Sequence, residues 1–225
     1  MKKWLSLTLA IVMVLMLVAC GTDTTDGDIV TEGPVVTEPA DIENNKEEKV
    51  ELSRGKIDGD VYTNEFLGFE FTKPDSWMYY SDEEVAALMN LTADEVFGVK
   101  FNDALENNVV VYDMMVIDTL TGSNFNVGYE NLSKTFNTNI TVEQYVAALE
   151  KQLGSVSAMT VTFPDTYESV KLGNTEFTKV VCSVEAQGIN MTQVYYLHKT
   201  DGYMCFVIVT IPSGYTVSEI EAMFK

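Results

Sequence analysis

Histidine and cysteine are nearly absent: the 225-residue chain carries one histidine, His198, and three cysteines, Cys20, Cys182 and Cys205. A Ser-His-Asp or Cys-His centre would therefore have to be built on His198. That residue stands beside Lys199 and a turn, the setting of a surface or edge histidine. No Cys-x-x-Cys pair occurs, and no glycine-rich loop follows a strand pattern, so the usual zinc and nucleotide-phosphate signatures are missing. Asp26-Gly27-Asp28 and Asp58-Gly59-Asp60 lack the ligand spacing and closing glutamate of a calcium loop and are expected to be solvated turns. Positive charge is scarce too. Fourteen Lys and Arg stand against 34 Asp and Glu, a formal charge of −20. Such a field disfavours nucleic acid and anionic lipid, which recruit proteins through Lys and Arg. Only one long apolar run is present, the 16 residues Trp4–Ala19, and it is shorter than the roughly 20 that span a bilayer as a helix.

That run is nevertheless the organising feature of the chain. Lys2 and Lys3 precede it, and it ends in Leu17-Val18-Ala19-Cys20-Gly21. A positive start, an apolar core and a small residue before a cysteine make a secretory signal, and Leu-x-Ala-Cys resembles a bacterial lipobox. Residues 1–19 are thus expected to be a lipoprotein signal peptide and Cys20 the lipidation site, carrying a diacylglyceryl group and an acyl chain such as palmitate. The mature protein would be lipid-anchored on the extracytoplasmic side of the cell membrane. From Cys20 to residue 56 the composition is Thr, Glu, Asp, Asn and Pro, with Ile29, Val30, Val35, Val36 and Ile42 the main apolar residues. No core can form from this. Read as a flexible acidic tether, its stretch of about 32 residues from Gly21 to about Leu52 would span on the order of 30 Å.

From residue 57 onward the patterning becomes that of a folded domain. Val61–Asn64, Leu67–Phe71 and Trp77–Tyr80 read as short strands. Val109–Ile117 reads as a buried strand and Phe125–Tyr129 as an alternating one, with Asn131–Thr135 leaving it as a loop. Capping-box spacings at Ser81/Glu84, Thr92/Glu95, Thr141/Gln144 and Thr216/Glu219 mark helix starts. The helix after Thr141 would bury Tyr145, Val146, Leu149 and Leu153. Val217, Ile220, Met223 and Phe224 would face inward from the last one. Between them runs a strand series, Met159–Phe163, Tyr167–Leu172, Glu176–Ala186, Ile189–Lys199 and Tyr203–Ile211, separated by Gly173-Asn174, Gln187-Gly188 and Asp201-Gly202 as hairpin turns. Two-residue loops fix the register, placing Cys182 opposite Gln193 and Cys205 opposite His198. The two cysteines then lie two strands apart, beyond disulfide range, and are expected to be free buried thiols. Tyr203–Ile211 has almost no polar alternation, so both faces of the sheet must be covered, a task for the helices.

Tyr62-x-Asn64 followed by Gly68-Phe69-x-Phe71-x-x-Pro74-x-x-Trp77 and an acidic helix start resembles the opening of PsbP-like domains of the Mog/PsbP/DcrB type. The resemblance covers about residues 57–225. It implies an α+β fold, an antiparallel β-sheet flanked by helices on both faces as an α/β/α sandwich, and it implies no common chemistry or catalytic residues.

With no cofactor, metal or nucleophile signalled, the expectation is a non-enzymatic accessory or binding module anchored through Cys20. Its partner would be another extracytoplasmic protein or complex of the envelope. The alternative is a small-ligand or cell-wall-glycan binding lipoprotein, to which Tyr79-Tyr80 and Tyr195-Tyr196 could contribute. In a strand, however, adjacent residues face opposite ways, which favours core packing for both pairs. A hydrolase would need two converging carboxylates, which the sequence does not display.

Overall fold

The structure, a computed structural model, describes residues 52–200 and 202–225. The signal peptide, the lipobox with Cys20 and most of the tether lie outside the described residues.

Two antiparallel sheets form the domain. The smaller joins β1 (Lys56–Asp58), β2 (Val61–Asn64) and β3 (Phe69–Thr72) in that order. The larger joins β4 (Trp77–Tyr79), β5 (Val110–Asp118), β6 (Asn124–Asn131), β11 (Tyr203–Ile211), β10 (Ile189–Thr200), β9 (Thr175–Ala186) and β7 (Met159–Thr162), while β8 (Glu168–Leu172) pairs with a separate stretch of β9. The hairpin registers are those expected from the turns: Cys182 pairs with Gln193 and Cys205 with His198. Both cysteines are free and buried. Gln187 and Gly188 supply the two positive φ values of the β9–β10 turn, +52° and +77°, as a two-residue hairpin of this kind requires.

Period-two alternation sorts the large sheet's side chains onto two covered faces. One face carries Val111, Phe125, Val127, Tyr129, Val194, Tyr196, Cys205 and Val207. Its cover differs from the all-helical layer expected: Tyr62, Leu67, Phe69 and Phe71 of the small sheet provide much of it, together with Val96, Ala104, Leu105 and Ile220 from short helices. The small sheet thereby buries a face that its few residues could not bury alone. The other face carries Tyr112, Met115, Val180, Cys182, Tyr195, Leu197, Phe206 and Ile208 under helical side chains. The fold is therefore α+β, with the large antiparallel sheet sandwiched between covering layers that carry helices on both sides.

All four expected capping boxes are formed. They start α1 (Asp82–Leu88) at Ser81, α2 (Ala93–Val96) at Thr92, α5 (Val142–Leu153) at Thr141 and α6 (Val217–Glu221) at Thr216. Two helices escape that signal. α3 (Phe101–Asn107) begins at Lys100 without a side-chain cap, and α4 (Leu132–Thr135) occupies the stretch expected to be a loop, with the Asn131 side chain accepting from the Ser133 N–H. The last helix ends at Glu221 rather than running on to Phe224. Glu70 and Lys225 instead exchange two backbone hydrogen bonds of 2.9 Å, pairing the last residue with β3. Phe224 thus packs 5.2 Å from the Phe69 ring and 5.3 Å from that of Phe125.

The fold also reaches further toward the N-terminus than composition indicates. Leu52 packs against the first core face, and Arg54 and Gly55 bond into it. Residues 52–56, assigned to the tether by their composition, belong structurally to the domain.

Candidate functional site

A polar strip crosses the helix-covered face of the large sheet at its β6, β11 and β10 strands. In β6, Phe125, Val127 and Tyr129 enter the other core, so alternation turns Asn124 and Asn126 onto this face. Asn126 stands between Met115 and Ile208 in register, and Asn124 between Ile117 and Thr210. Gln193 lies opposite Thr210 on the next strand. All of these side chains are buried, Asn126 at 1% exposure. Gln193 and Thr210 satisfy one another, Nε2 donating to Oγ1 at 3.1 Å, and the Tyr195 hydroxyl donates to Gln193 Oε1. The asparagines are different. Asn124 Nδ2 donates to the Gly122 carbonyl at 3.1 Å, but Asn124 Oδ1 and both polar atoms of Asn126 have no partner. Buried amides are nearly always hydrogen-bonded, because an unmade bond forfeits the whole desolvation penalty. Asn124 and Asn126 therefore carry a desolvation cost on this face that no side chain or backbone group offsets. Met78, the register partner of Ile117 on the edge strand β4, is 53% exposed, whereas Ile117, Asn124 and Asn126 are all buried.

A second buried polar cluster serves as a clamp, although Arg54 Nε and Asp113 Oδ1 face each other without a hydrogen bond. β5 carries a bulge between Tyr112 and Met114, leaving Asp113 unpaired in the ladder. An extra residue of this kind re-aims its side chain, and Asp113 points into the small-sheet side. Its Oδ2 accepts from the Gly55 N–H at 2.7 Å, the Tyr62 hydroxyl at 2.7 Å and Asn64 Nδ2 at 3.3 Å. Arg54 Nε lies 3.6 Å from Oδ1, and its guanidinium sits 4.3 Å over the Phe97 ring and 5.2 Å from that of Phe101. Asn64 also donates to the Tyr129 hydroxyl at 2.8 Å. The clamp ties the entry segment, the small sheet, α2, α3 and the large sheet to one carboxylate.

Burial raises the Asp113 pKa to about 6; the hydrogen bonds from Tyr62, Gly55 and Asn64 and the charge of Arg54 oppose this only in part. Desolvation likewise lowers the Arg54 pKa. A carboxyl whose folded pKa exceeds its unfolded value binds protons more tightly in the native state. Its contribution is fully present below the unfolded value of 3.8 and is lost as pH rises through about 6. Urea titrations at pH 4.5 and 7.5 are expected to show wild type gaining about 2 kcal/mol on an Asp113→Asn variant at the lower pH. A difference that stays constant with pH would refute the shift.

The residues singled out in the sequence take structural roles. His198 sits at the sheet margin, with Nδ1 3.0 Å from the Glu176 carbonyl oxygen and its ring 5.7 Å from that of Phe177. Burial pushes the Cys182 thiol up to about 12 and that of Cys205 higher still, so neither is a thiolate at neutral pH. Asp58 is exposed, and Asp60 pairs with Lys73 at 2.6 Å. Among the described residues no three His, Cys, Asp or Glu side chains gather as a metal site. The tyrosine pairs split between faces. Tyr79 and Tyr196 pack on the small-sheet side, Tyr80 and Tyr195 on the other; the Tyr196 hydroxyl donates to Glu221, which also holds Lys179 at 2.8 Å.

Among solved structures, the chain is similar to cyanobacterial PsbP (CyanoP) from Synechocystis sp. PCC 6803. The match has 13% identity, covers 78% of this chain and 94% of that one, and has a TM-score of 0.45. A crystallised protein of Bacteroides thetaiotaomicron VPI-5482 is also similar, at 13% identity and a TM-score of 0.38 over 77% of this chain; the match spans 48% of that protein's length. No protein-family model and no curated protein matches the chain. The structural likeness is one of fold and assigns no activity.

Proposed function

We propose that the protein is a lipid-anchored extracytoplasmic binding module, non-enzymatic, that engages another envelope protein through the Asn124–Asn126 strip. The anchoring half rests on Leu17-Val18-Ala19-Cys20 behind its basic and apolar leader. Stable attachment takes more than one acyl chain, each buried CH₂ contributing about 0.8 kcal/mol, and a diacylglyceryl cysteine meets that requirement. The binding half rests on one observation: three unpartnered amide atoms on a buried strip, Asn124 Oδ1 and both polar atoms of Asn126. The acidic tether supplies reach, and the Asp113 clamp gives it a rigid take-off point at Arg54.

Cys20→Ser in the full-length protein is expected to leave the precursor unprocessed and without incorporated labelled palmitate. Processing and detergent partitioning identical to wild type would overturn the anchoring. Crosslinking in cells with the wild-type protein is expected to give a stoichiometric envelope partner; its absence at good crosslinking yield would overturn the protein-binding role.

A further inference from the structure

We propose that the outer edge of β1 pairs with the same edge of a second copy of this chain, joining the two small sheets into one. The surface is Lys56-Ile57-Asp58, and the inference is independent of the Asn124–Asn126 reading above. β1 is the end strand of the small sheet, and among the described residues no strand lies against its outer edge. All three residues are exposed, Ile57 at 42%. Which backbone groups point outward follows from the β1–β2 turn. Asp58 pairs with Val61 across Gly59-Asp60, and Gly59 has a φ of +60°, the positive value a tight two-residue hairpin uses at its first position. Such a turn closes on a hydrogen-bonded pair. The next pair along β1, Ile57 with Tyr62, is then of the non-hydrogen-bonded kind and directs the N–H and C=O of Ile57 away from β2. Gly55, two residues back, keeps the same phase: its N–H leaves the strand to reach Asp113 Oδ2 at 2.7 Å. Outward N–H and C=O groups on an open edge are a template for another strand.

The side chains of this edge complement themselves. Antiparallel pairing about a two-fold axis at Ile57 sets Ile57 against Ile57, and Lys56 of each copy against Asp58 of the other. Directly opposed residues share a face. Lys56 and Asp58 lie on the outer face of the small sheet, in line with Thr63 and Val61 of β2, whereas Ile57 lies in line with the buried Tyr62 on the core side. The pairing thus makes two cross-strand ion pairs on the wet face and covers the two isoleucines with each other on the core side. Two hydrogen bonds between the Ile57 backbones sit on the axis. The other edge strands lack this complementarity: β4 and β7 carry no charge, and β8 centred on Val170 would oppose Glu168 to Leu172. The contact is short, because the Gly55 N–H is committed to Asp113 and Gly59 begins the turn. Three residues a side cover far less than the roughly 800 Å² per partner of a stable interface, so the pair is weak and reversible.

The test traps the pair covalently in cells expressing the full-length protein. Opposed residues of a hydrogen-bonded pair have Cα atoms about 5.5 Å apart, inside disulfide range, and Cys182 and Cys205 are buried. Ile57→Cys under copper–phenanthroline oxidation is expected to give a disulfide-linked dimer at least about tenfold above Leu120→Cys, a control on a hairpin tip that is 82% exposed. Both variants carry Cys20 alike, so the difference belongs to the new thiol. Adding either charge reversal to the Ile57→Cys chain, Lys56→Asp or Asp58→Lys, opposes like charges twice and should lower the yield to the control level. Co-expressed, the two reversed chains complement each other and should recover the dimer as a heterodimer, which also shows that each is folded. Equal yields at positions 57 and 120, a dimer indifferent to charge reversal, or no recovery on co-expression would overturn the pairing. A disulfide from position 57 to a different protein in place of the dimer would assign the edge to another chain and overturn it as well.

Discussion

Asp113→Ala is expected to destabilise the domain by about 3–5 kcal/mol at neutral pH, the range for removing one partner from a buried, hydrogen-bonded charge pair. The magnitude follows from what is left behind. The Gly55 N–H, the Tyr62 hydroxyl and Asn64 Nδ2 all lose their common acceptor, and the Arg54 guanidinium loses its counter-charge while still held against Phe97 and the Val96 carbonyl. The damage should be regional before it is global. Hydrogen exchange is expected to accelerate first in residues 52–64 and 93–107, which meet at Asp113 and Arg54, with β9–β11 following only on global unfolding. A loss below about 1 kcal/mol in urea titrations, or uniform acceleration across the domain, would show that Asp113 is not the clamp.

Gly128→Val is expected to cost about 2–3 kcal/mol or more, the upper range for forcing extra volume into a packed interior. A Cβ at this position would lie 2.4 Å from Phe206 Cζ, 2.8 Å from Phe206 Cε2 and 3.0 Å from the Val111 carbonyl oxygen. Gly128 and Phe206 are register partners on β6 and β11, and the Phe206 ring lies across the glycine with Tyr112 meeting it edge-on at 5.6 Å. Backbone conformation is not the issue here; the missing Cβ makes room for the ring, as aromatic residues do over strand glycines. The check is a double-mutant cycle. Phe206→Leu should recover more than about 1 kcal/mol of the Gly128→Val loss, and strict additivity of the two would refute the steric account.

What the sequence revealed and what it concealed divide along physical lines. Features set by neighbours in the chain were legible: the capping boxes at Ser81, Thr92, Thr141 and Thr216, the Gln187-Gly188 turn, and through it the separation of Cys182 from Cys205. Features set by distant segments were not. α3 begins at Lys100 with no capping side chain, so its position follows from Ala104 and Leu105 finding the core. Asp113 sits inside Val109–Ile117, an apolar run in which one acid carries no sign of a bulge. Its acceptance of Gly55 and Tyr62 depends on residues more than 50 positions away. The small sheet's role as cover for one face is likewise tertiary.

The asparagine strip is the more instructive case. Phe125-Asn-Val-Gly-Tyr129 alternates, and alternation ordinarily places polar residues in water. Here the strand is central and both its faces are covered, so Asn124 and Asn126 are buried with atoms unpaired. The available signal was a mismatch between two patterns. Tyr203–Ile211 required cover on both faces of the sheet, and its neighbour nonetheless brought amides to one of them. Local sequence rules that fail inside an otherwise consistent fold tend to fail at functional sites.

The measurement that bears most directly on this account is site-specific photocrosslinking in the full-length lipoprotein in its own cells. The reactive side chain is placed at Met78, the exposed register partner of Ile117, and at Glu185 as a control on the exposed side of β9. The account predicts a discrete protein adduct from position 78, absent from position 185 and lost when Asn126→Leu is added. Adducts of equal yield from both positions, or one from position 78 that survives Asn126→Leu unchanged, would contradict it.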